Sequence, residues 1–193
     1  MRLTSALLGA LLLGAAGCDG SHVHSDSAPA SPSPVAGAPS TAPAPGKFAI
    51  SSPAFAEDQQ IPDEYSCEGR NVPPPLRWRN TPAGTESLAV VVDDPDAPAG
   101  LFVHWVVTGL PPSTTDIAPG TMPPAAVVSL NSANRAEYYG PCPSNGGLHH
   151  YRFKIYALRR APTLTPMTPA TESTTMIADL SIAVTDTVGT FGH

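Results

Sequence analysis

Short apolar runs separated by proline and glycine clusters set the rhythm of the chain from residue 47 onward. Phe48-Ala49-Ile50 reads as a first strand. Leu88-Ala89-Val90-Val91-Val92 has no polar position, so a strand there is expected to be covered on both faces. Leu101 to Thr108 has the same character, and Ala125 to Leu130 is a further candidate. Tyr151 to Leu158 alternates, with Tyr151, Phe153, Ile155 and Ala157 on one face and Arg152, Lys154 and Tyr156 on the other. The prolines at 73–75, 111–112 and 123–124 fall between these runs, where connections rather than central strands are expected. One helix is predicted near the end. Thr168 suits its N-cap and Pro169 its first helical position, and Met176, Leu180, Ala183 and Val184 follow at helical spacing. Val188 to His193 reads as a last strand or as a segment folding back over the domain. Strands with turn-rich connectors and few helices predict a mainly β fold, an antiparallel two-sheet Greek-key sandwich with one or two short helices, one of them near the C-terminus.

The first 46 residues follow a different logic. Met1-Arg2 is a short positive start, and Leu3 to Leu13 is apolar but too short to span a bilayer as an ordinary helix. Gly14-Ala15-Ala16-Gly17-Cys18 then resembles a bacterial lipobox, which makes 1–17 a lipoprotein-type signal peptide and Cys18 the lipidated mature N-terminus. The alternative is an ordinary cleaved leader with an incidental cysteine. Residues 18–46 are rich in Ala, Pro and Ser and poor in large apolar side chains, so they cannot bury enough surface to offset their ordering entropy. They read as a disordered tether. His22 and His24 on such a tail are weak grounds for a metal site. Residues 47–193 remain as one domain of ordinary size. This reading places the domain outside the cytoplasm, in the periplasm or at the cell surface, on a bacterial membrane anchor and in a compartment that permits disulfides.

Charge narrows the partners. The net charge of -6, with only 13% charged residues, gives no electrostatic support for binding nucleic acid or an anionic membrane surface. Any anion must be held by a local site. Three segments could build one. Asp93-Asp94-Pro95-Asp96-Ala97-Pro98 lies where a buried strand emerges, and Pro95 aims the flanking acids differently. On its own, such a stretch is equally a solvated turn. His104 sits inside an otherwise apolar run and needs partners for its ring nitrogens. An acid from residues 94–96 is the expected one. Tyr138 to Phe153 contains a Gly/Pro loop that can present backbone N–H groups to an anion, followed by His149 and His150. By alternation His149 shares a face with Tyr151, and His150 points the other way.

The Asp-Pro-Asp-Ala-Pro segment, His104-Trp105, Gly140-Pro141-Cys142-Pro143 and Leu148-His149-His150-Tyr151 occur in this order in the phosphatidylethanolamine-binding protein family. The chain resembles most its bacterial Raf-kinase-inhibitor-like branch. Tyr65-Ser66-Cys67-Glu68-Gly69 and Pro74-Pro75-Leu76-Arg77-Trp78 add to the likeness, which covers about residues 47–193. The resemblance implies a two-sheet β fold with a pocket for phosphate-like anions. It carries binding roles onto Asp94, Asp96, His104, His149 and Tyr151, with Gly140 and Pro141 in the loop that forms the pocket wall. This chain has His150 where arginine is usual and Ser144 where a second proline is frequent, which bears on fine ligand preference.

The function expected is therefore that of a lipid-anchored binding protein for a small phosphate-like anion or phospholipid head group, without a cofactor, with modulation of an unidentified protein partner as a further expectation. Anion affinity is expected to fall as pH rises above about 7 and histidine charge is lost. The competing readings are a metal-dependent hydrolase using the Asp/His cluster and a structural envelope lipoprotein. The hydrolase lacks support from any Gly-x-Ser-x-Gly or His-x-x-x-His pattern. Cys67 and Cys142 are expected to pair, worth about 4 kcal/mol in the chain-entropy model, with two separate thiols as the alternative.

Overall fold

The computed structural model describes residues 46–144 and 146–192. The leader, Cys18, the tether as far as residue 45, and with them His22 and His24, lie outside the described residues. The elements run β1 (Ala49–Ser51), β2 (Gln59–Gln60), a 3-10 turn (Asp63–Tyr65), β3 (Leu76–Arg79), β4 (Ser87–Asp94), β5 (Phe102–Leu110), β6 (Asp116–Ile117), β7 (Val127–Val128), β8 (His149–Leu158), α1 (Ala170–Leu180) and β9 (Ser181–Phe191). They form a small sheet in the order β1-β3-β6 and a large one in the order β2-β9-β8-β4-β5-β7. Every pairing is antiparallel except β2 with β9.

The apolar run at 88–92 explains this layout. After β5 the chain does not continue outward with its next long strand. It returns to set β8 on the other side of β4, so β4 is flanked on both edges and all eight of its residues are buried. Leu88, Val90 and Val92 enter the core between the sheets, beside Ile50, Leu76 and Trp78 of the small sheet and Phe153 and Ile155 of β8. Ala89 and Val91 face the other way, onto Val106, Leu158 and the helix residues Ile177 and Leu180. A strand without a polar side has found two hydrophobic covers. The alternation in β8 is also realised, with His149, Tyr151, Phe153, Ile155 and Ala157 buried on the inter-sheet face.

The helix is shorter than its sequence pattern suggests. Its buried positions are Ala170, Ser173, Ile177 and Leu180, one stripe along a single face. Ala183 and Val184, expected on that helix, belong to β9. Ser181 already has extended angles, and the β-branched residues Ile182, Val184 and Thr185 continue as a strand paired along β8. Pairing with ten residues of β8 outweighs a weak helical continuation. Thr168 does not cap the helix. Pro169 is the N-cap, without a side-chain hydrogen bond, and the Thr168 hydroxyl accepts from the Thr165 N–H instead. No helix among the described residues is long and apolar enough to cross a membrane.

Cys67 and Cys142 form a disulfide, with Cα atoms 5.5 Å apart and a sequence separation of 75. It joins the segment after the 3-10 turn to the Gly/Pro loop. Replacing Cys67 by Ser is expected to lower unfolding stability by about 2–4 kcal/mol. Guanidinium unfolding measures this, and an unchanged midpoint would show that the loop is held without the covalent link.

Candidate functional site

The end of β4 places two carboxylates on opposite faces of the sheet. Both are almost fully buried, at 3% exposure each. Buried carboxylates need charge partners or hydrogen bonds. Asp93 faces the helix side, where Arg152 Nε and Lys154 Nζ each donate to it at 2.6 Å. These cations occupy alternate positions of β8, and Arg152 is the cross-strand neighbour of Asp93. Asp94 faces the space between the sheets. Its Oδ2 accepts from His149 Nδ1 at 2.7 Å and its Oδ1 from the Asp96 N–H at 2.8 Å.

His104 reaches the same space through a β-bulge. Val92 pairs with Trp105, but Asp93 pairs with Val103, so His104 is the extra residue. The bulge lets neighbouring His104 and Trp105 both turn toward the inter-sheet face, which strict alternation forbids. Two contacts with one residue fix the ring. His104 Nδ1 donates to the Tyr139 carbonyl at 2.6 Å, and the Tyr139 N–H donates to the His104 carbonyl at 3.1 Å. The acid partner expected for His104 is thus replaced by a backbone carbonyl, because Asp94 is held by His149 and Asp96 by His150. A carbonyl only accepts, so Nδ1 carries the proton and Nε2 of the neutral ring carries a lone pair. Burial holds the His104 pKa below the ordinary histidine value, against the opposing pull of the Tyr139 carbonyl and the Asp94 and Asp93 carboxylates. Its charge is therefore lost at lower pH than the reference histidine value suggests.

Asp94, His104, His149 and Tyr151 line a cleft of about 220 Å³. Phe102, Ala97 and Pro98 supply its apolar side, and Tyr139, Cys142, Pro143 and Ser144 its outer wall. The Tyr151 ring meets His104 edge-on at 5.2 Å and stacks with His149 at 6.4 Å. Its hydroxyl is buried beside the Cys142 backbone N–H and has no acceptor for its own proton among the described residues. Burial first, and the Asp94 charge second, raise its pKa, so it stays a donor. A wider hollow of about 450 Å³ lies over α1, but its lining residues Thr171, Glu172, Thr175, Met176 and Asp179 include no buried polar group. The smaller cleft has four.

Three residues proposed from the sequence do not line the cleft. Asp96 is exposed and accepts from both the backbone N–H and Nδ1 of His150, at 2.9 and 2.8 Å; the His150 ring is the main cause of its lowered pKa. Gly140 and Pro141 stand behind the wall. The Gly140 N–H donates to Asn71 Oδ1 at 2.8 Å, and the Pro141 carbonyl accepts from the Cys67 N–H at 3.0 Å. A Cβ on Gly140 would lie 2.5 Å from Asn71 Oδ1 and 2.6 Å from the Tyr65 carbonyl, so only glycine allows this approach. Sequence reasoning missed Phe102, Tyr139 and Asn71. Phe102 was within reach, since it lies two residues before His104. Asn71, at a φ of 54°, had no signal in the pattern. Among the described residues no group of three or more His, Cys, Asp or Glu side chains is arranged to hold a metal ion.

The family model for phosphatidylethanolamine-binding protein matches residues 51–192. The chain belongs to this family. Within it, the chain is similar to "Putative lipoprotein LppC" of Mycobacterium tuberculosis, 42% identical over 185 residues, covering 94% of this chain and 92% of the relative. Two solved structures share the family fold. The phosphatidylethanolamine-binding protein homologue CT736 from Chlamydia trachomatis superposes with a TM-score of 0.70 at 32% identity, covering 76% of this chain and 97% of its own. YbcL of E. coli, described as a new member of the mammalian PEBP family, gives 0.73 at 28% identity, covering 77% and 99%. These likenesses establish the fold and the family around the cleft.

The buried, neutral state of His104 has a consequence for stability. Its folded pKa lies below its unfolded value of about 6.5. The unfolded chain therefore binds more protons between the two values, and stability falls as pH drops below about 6.5. His104→Asn keeps a side-chain N–H near the Nδ1 position and does not titrate. Denaturant unfolding between pH 7.5 and 5 is expected to show a steeper acid loss in the parent chain than in this variant. Parallel curves would contradict the burial argument.

Proposed function

We propose that this chain is an exported, lipid-anchored binding protein whose cleft takes a phosphate-like anion, free or as a phospholipid head group. The observation that carries this reading is the Tyr151 hydroxyl, buried at the cleft beside the Cys142 backbone N–H and with no acceptor for its own proton among the described residues. Natural structures rarely leave a buried hydroxyl unsatisfied, and a phosphate oxygen is a strong acceptor for it. His104 and His149 flank the hydroxyl, each with Nδ1 fixed, to a carbonyl and a carboxylate respectively, so both rings are pre-oriented. The Cys142 to Ser144 wall closes the outer side.

Export and anchoring are supported from two directions. A lipoprotein-named relative aligns over 94% of the chain, and the Cys67–Cys142 disulfide suits an oxidising compartment. Cys18→Ser is expected to move the protein from the membrane fraction to the soluble fraction of cells. Unchanged partitioning would reject the anchor.

Calorimetric titration with phosphoethanolamine tests the binding reading. The parent chain is expected to bind, and Tyr151→Phe to bind about tenfold more weakly. The same variant should change stability by no more than about 1 kcal/mol, because it removes a buried hydroxyl whose proton has no acceptor among the described residues. Equal affinities in the two proteins would remove the central support for this function.

A further inference from the structure

Most of the chain's cations are spoken for. Among the described residues Arg70 pairs with Glu64, Arg135 with Glu137, and Arg152 and Lys154 with Asp93, while Arg159 donates to the Asp179 carbonyl. Lys47, Arg77, Arg79 and Arg160 are exposed and form no ion pair among the described residues. All but Arg160 gather at the small sheet. The alternation of β3 buries Leu76 and Trp78 and turns Arg77 and Arg79 to the outer face. Their cross-strand neighbours on β1 are small, Ser51 opposite Arg77 and Ala49 opposite Arg79. The two guanidinium groups are therefore left uncovered, beside a shallow hollow of about 170 Å³ floored by Ala49 and Ser51. Phe48 and Ile50 are buried, so the same alternation turns Lys47 outward. Of the described carboxylates, strand register places only Asp116, opposite Arg77, on this face.

The tether joins the domain at the same place. The Asn80 side-chain amide donates to the Lys47 carbonyl at 2.9 Å, which pins the incoming chain beside Arg79. An extended chain from residue 18 to residue 46 reaches at most ~100 Å. A lipid on Cys18 thus confines the domain near a bilayer, and confinement populates contacts too weak to recruit a free protein. The overall charge of -6 gives no general attraction to such a surface. Attraction is therefore left to a local face, acting within a Debye length of about 10 Å.

We propose that the outer face of the small sheet, carrying Lys47, Arg77 and Arg79, is the surface by which the domain rests on anionic lipid in the membrane that holds its anchor. This rests on the anchoring reading above and says which face meets the bilayer. A guanidinium presents a planar fork of donors to a lipid phosphate. Each basic residue brought to an anionic lipid surface favours the contact about fivefold, and Asp116 offsets part of the sum.

The test uses the mature chain from residue 18 onward, coupled through the Cys18 thiol to a maleimide lipid in vesicles. Cys67 and Cys142 are bonded to each other, so Cys18 is the cysteine left to react. The vesicles are phosphatidylcholine with or without phosphatidylglycerol, and phenylglyoxal modification of each arginine is followed by peptide mass spectrometry. Arg77 and Arg79 are expected to react about fivefold or more slowly on the anionic vesicles. Arg70 and Arg135, exposed and outside this sheet, should react alike on both. High salt should abolish the difference. Equal rates for Arg77 and Arg79 on the two vesicle types would overturn the inference, and so would an equal slowing of all four arginines. The coupling bypasses natural lipidation, so the Cys18→Ser fractionation judges the anchor and this experiment judges the face.

Discussion

Two consecutive carboxylates end a strand that has no solvent-facing side, and the site is built from how each is neutralised. Asp93 and Asp94 are both nearly inaccessible. Removing one partner of such a buried pair costs about 3–5 kcal/mol, so the partners are fixed as firmly as the core. Asp93 draws Arg152 and Lys154 to the helix-side face of β8. Asp94 draws His149 to the inter-sheet face and caps the turn at Asp96. One strand end thereby sorts the charges of β8, with the cations on one face and the cleft on the other.

The second determinant is the bulge at His104. Without the extra residue, His104 or Trp105 would face the helix side, and the cleft would lose its imidazole or the core its largest side chain. The bulge needs the Tyr139 backbone to hold it, and the Tyr139 segment is held in turn by Gly140 on Asn71, the Tyr138 hydroxyl on the Tyr65 carbonyl, and the disulfide from Cys67. The wall of the cleft and the segment around Tyr65 to Asn71 are therefore one mechanical unit. Removing any of these ties would reach His104 through its Nδ1 contact.

Much of this was legible in the chain. The run from Leu88 to Val92 announced a strand buried on both sides, and the alternation from Tyr151 to Leu158 placed His149 with Tyr151 and against Arg152. Both follow from strand periodicity, which is local. The partner of His104 was not legible, because a bulge is one residue of extra length and leaves no mark in an apolar run. The end of the helix was misread for a related reason: Ala183 and Val184 fit either period, and cross-strand pairing with β8 decided between them. Strands as short as Gln59–Gln60 and Asp116–Ile117 carry no pattern of their own and exist through their partners. The motifs identified the neighbourhood of the cleft, while the division of Asp94 inside from Asp96 outside required the turn's geometry.

The central claim is that an anion sits between His104 and Tyr151. A crystal structure of the chain soaked in phosphoethanolamine tests it most directly. The account predicts the phosphate within hydrogen-bonding distance of His104 Nε2 and the Tyr151 hydroxyl, with the Asp94–His149 contact intact. An unoccupied cleft at saturating ligand, or a phosphate bound elsewhere on the surface, would contradict it.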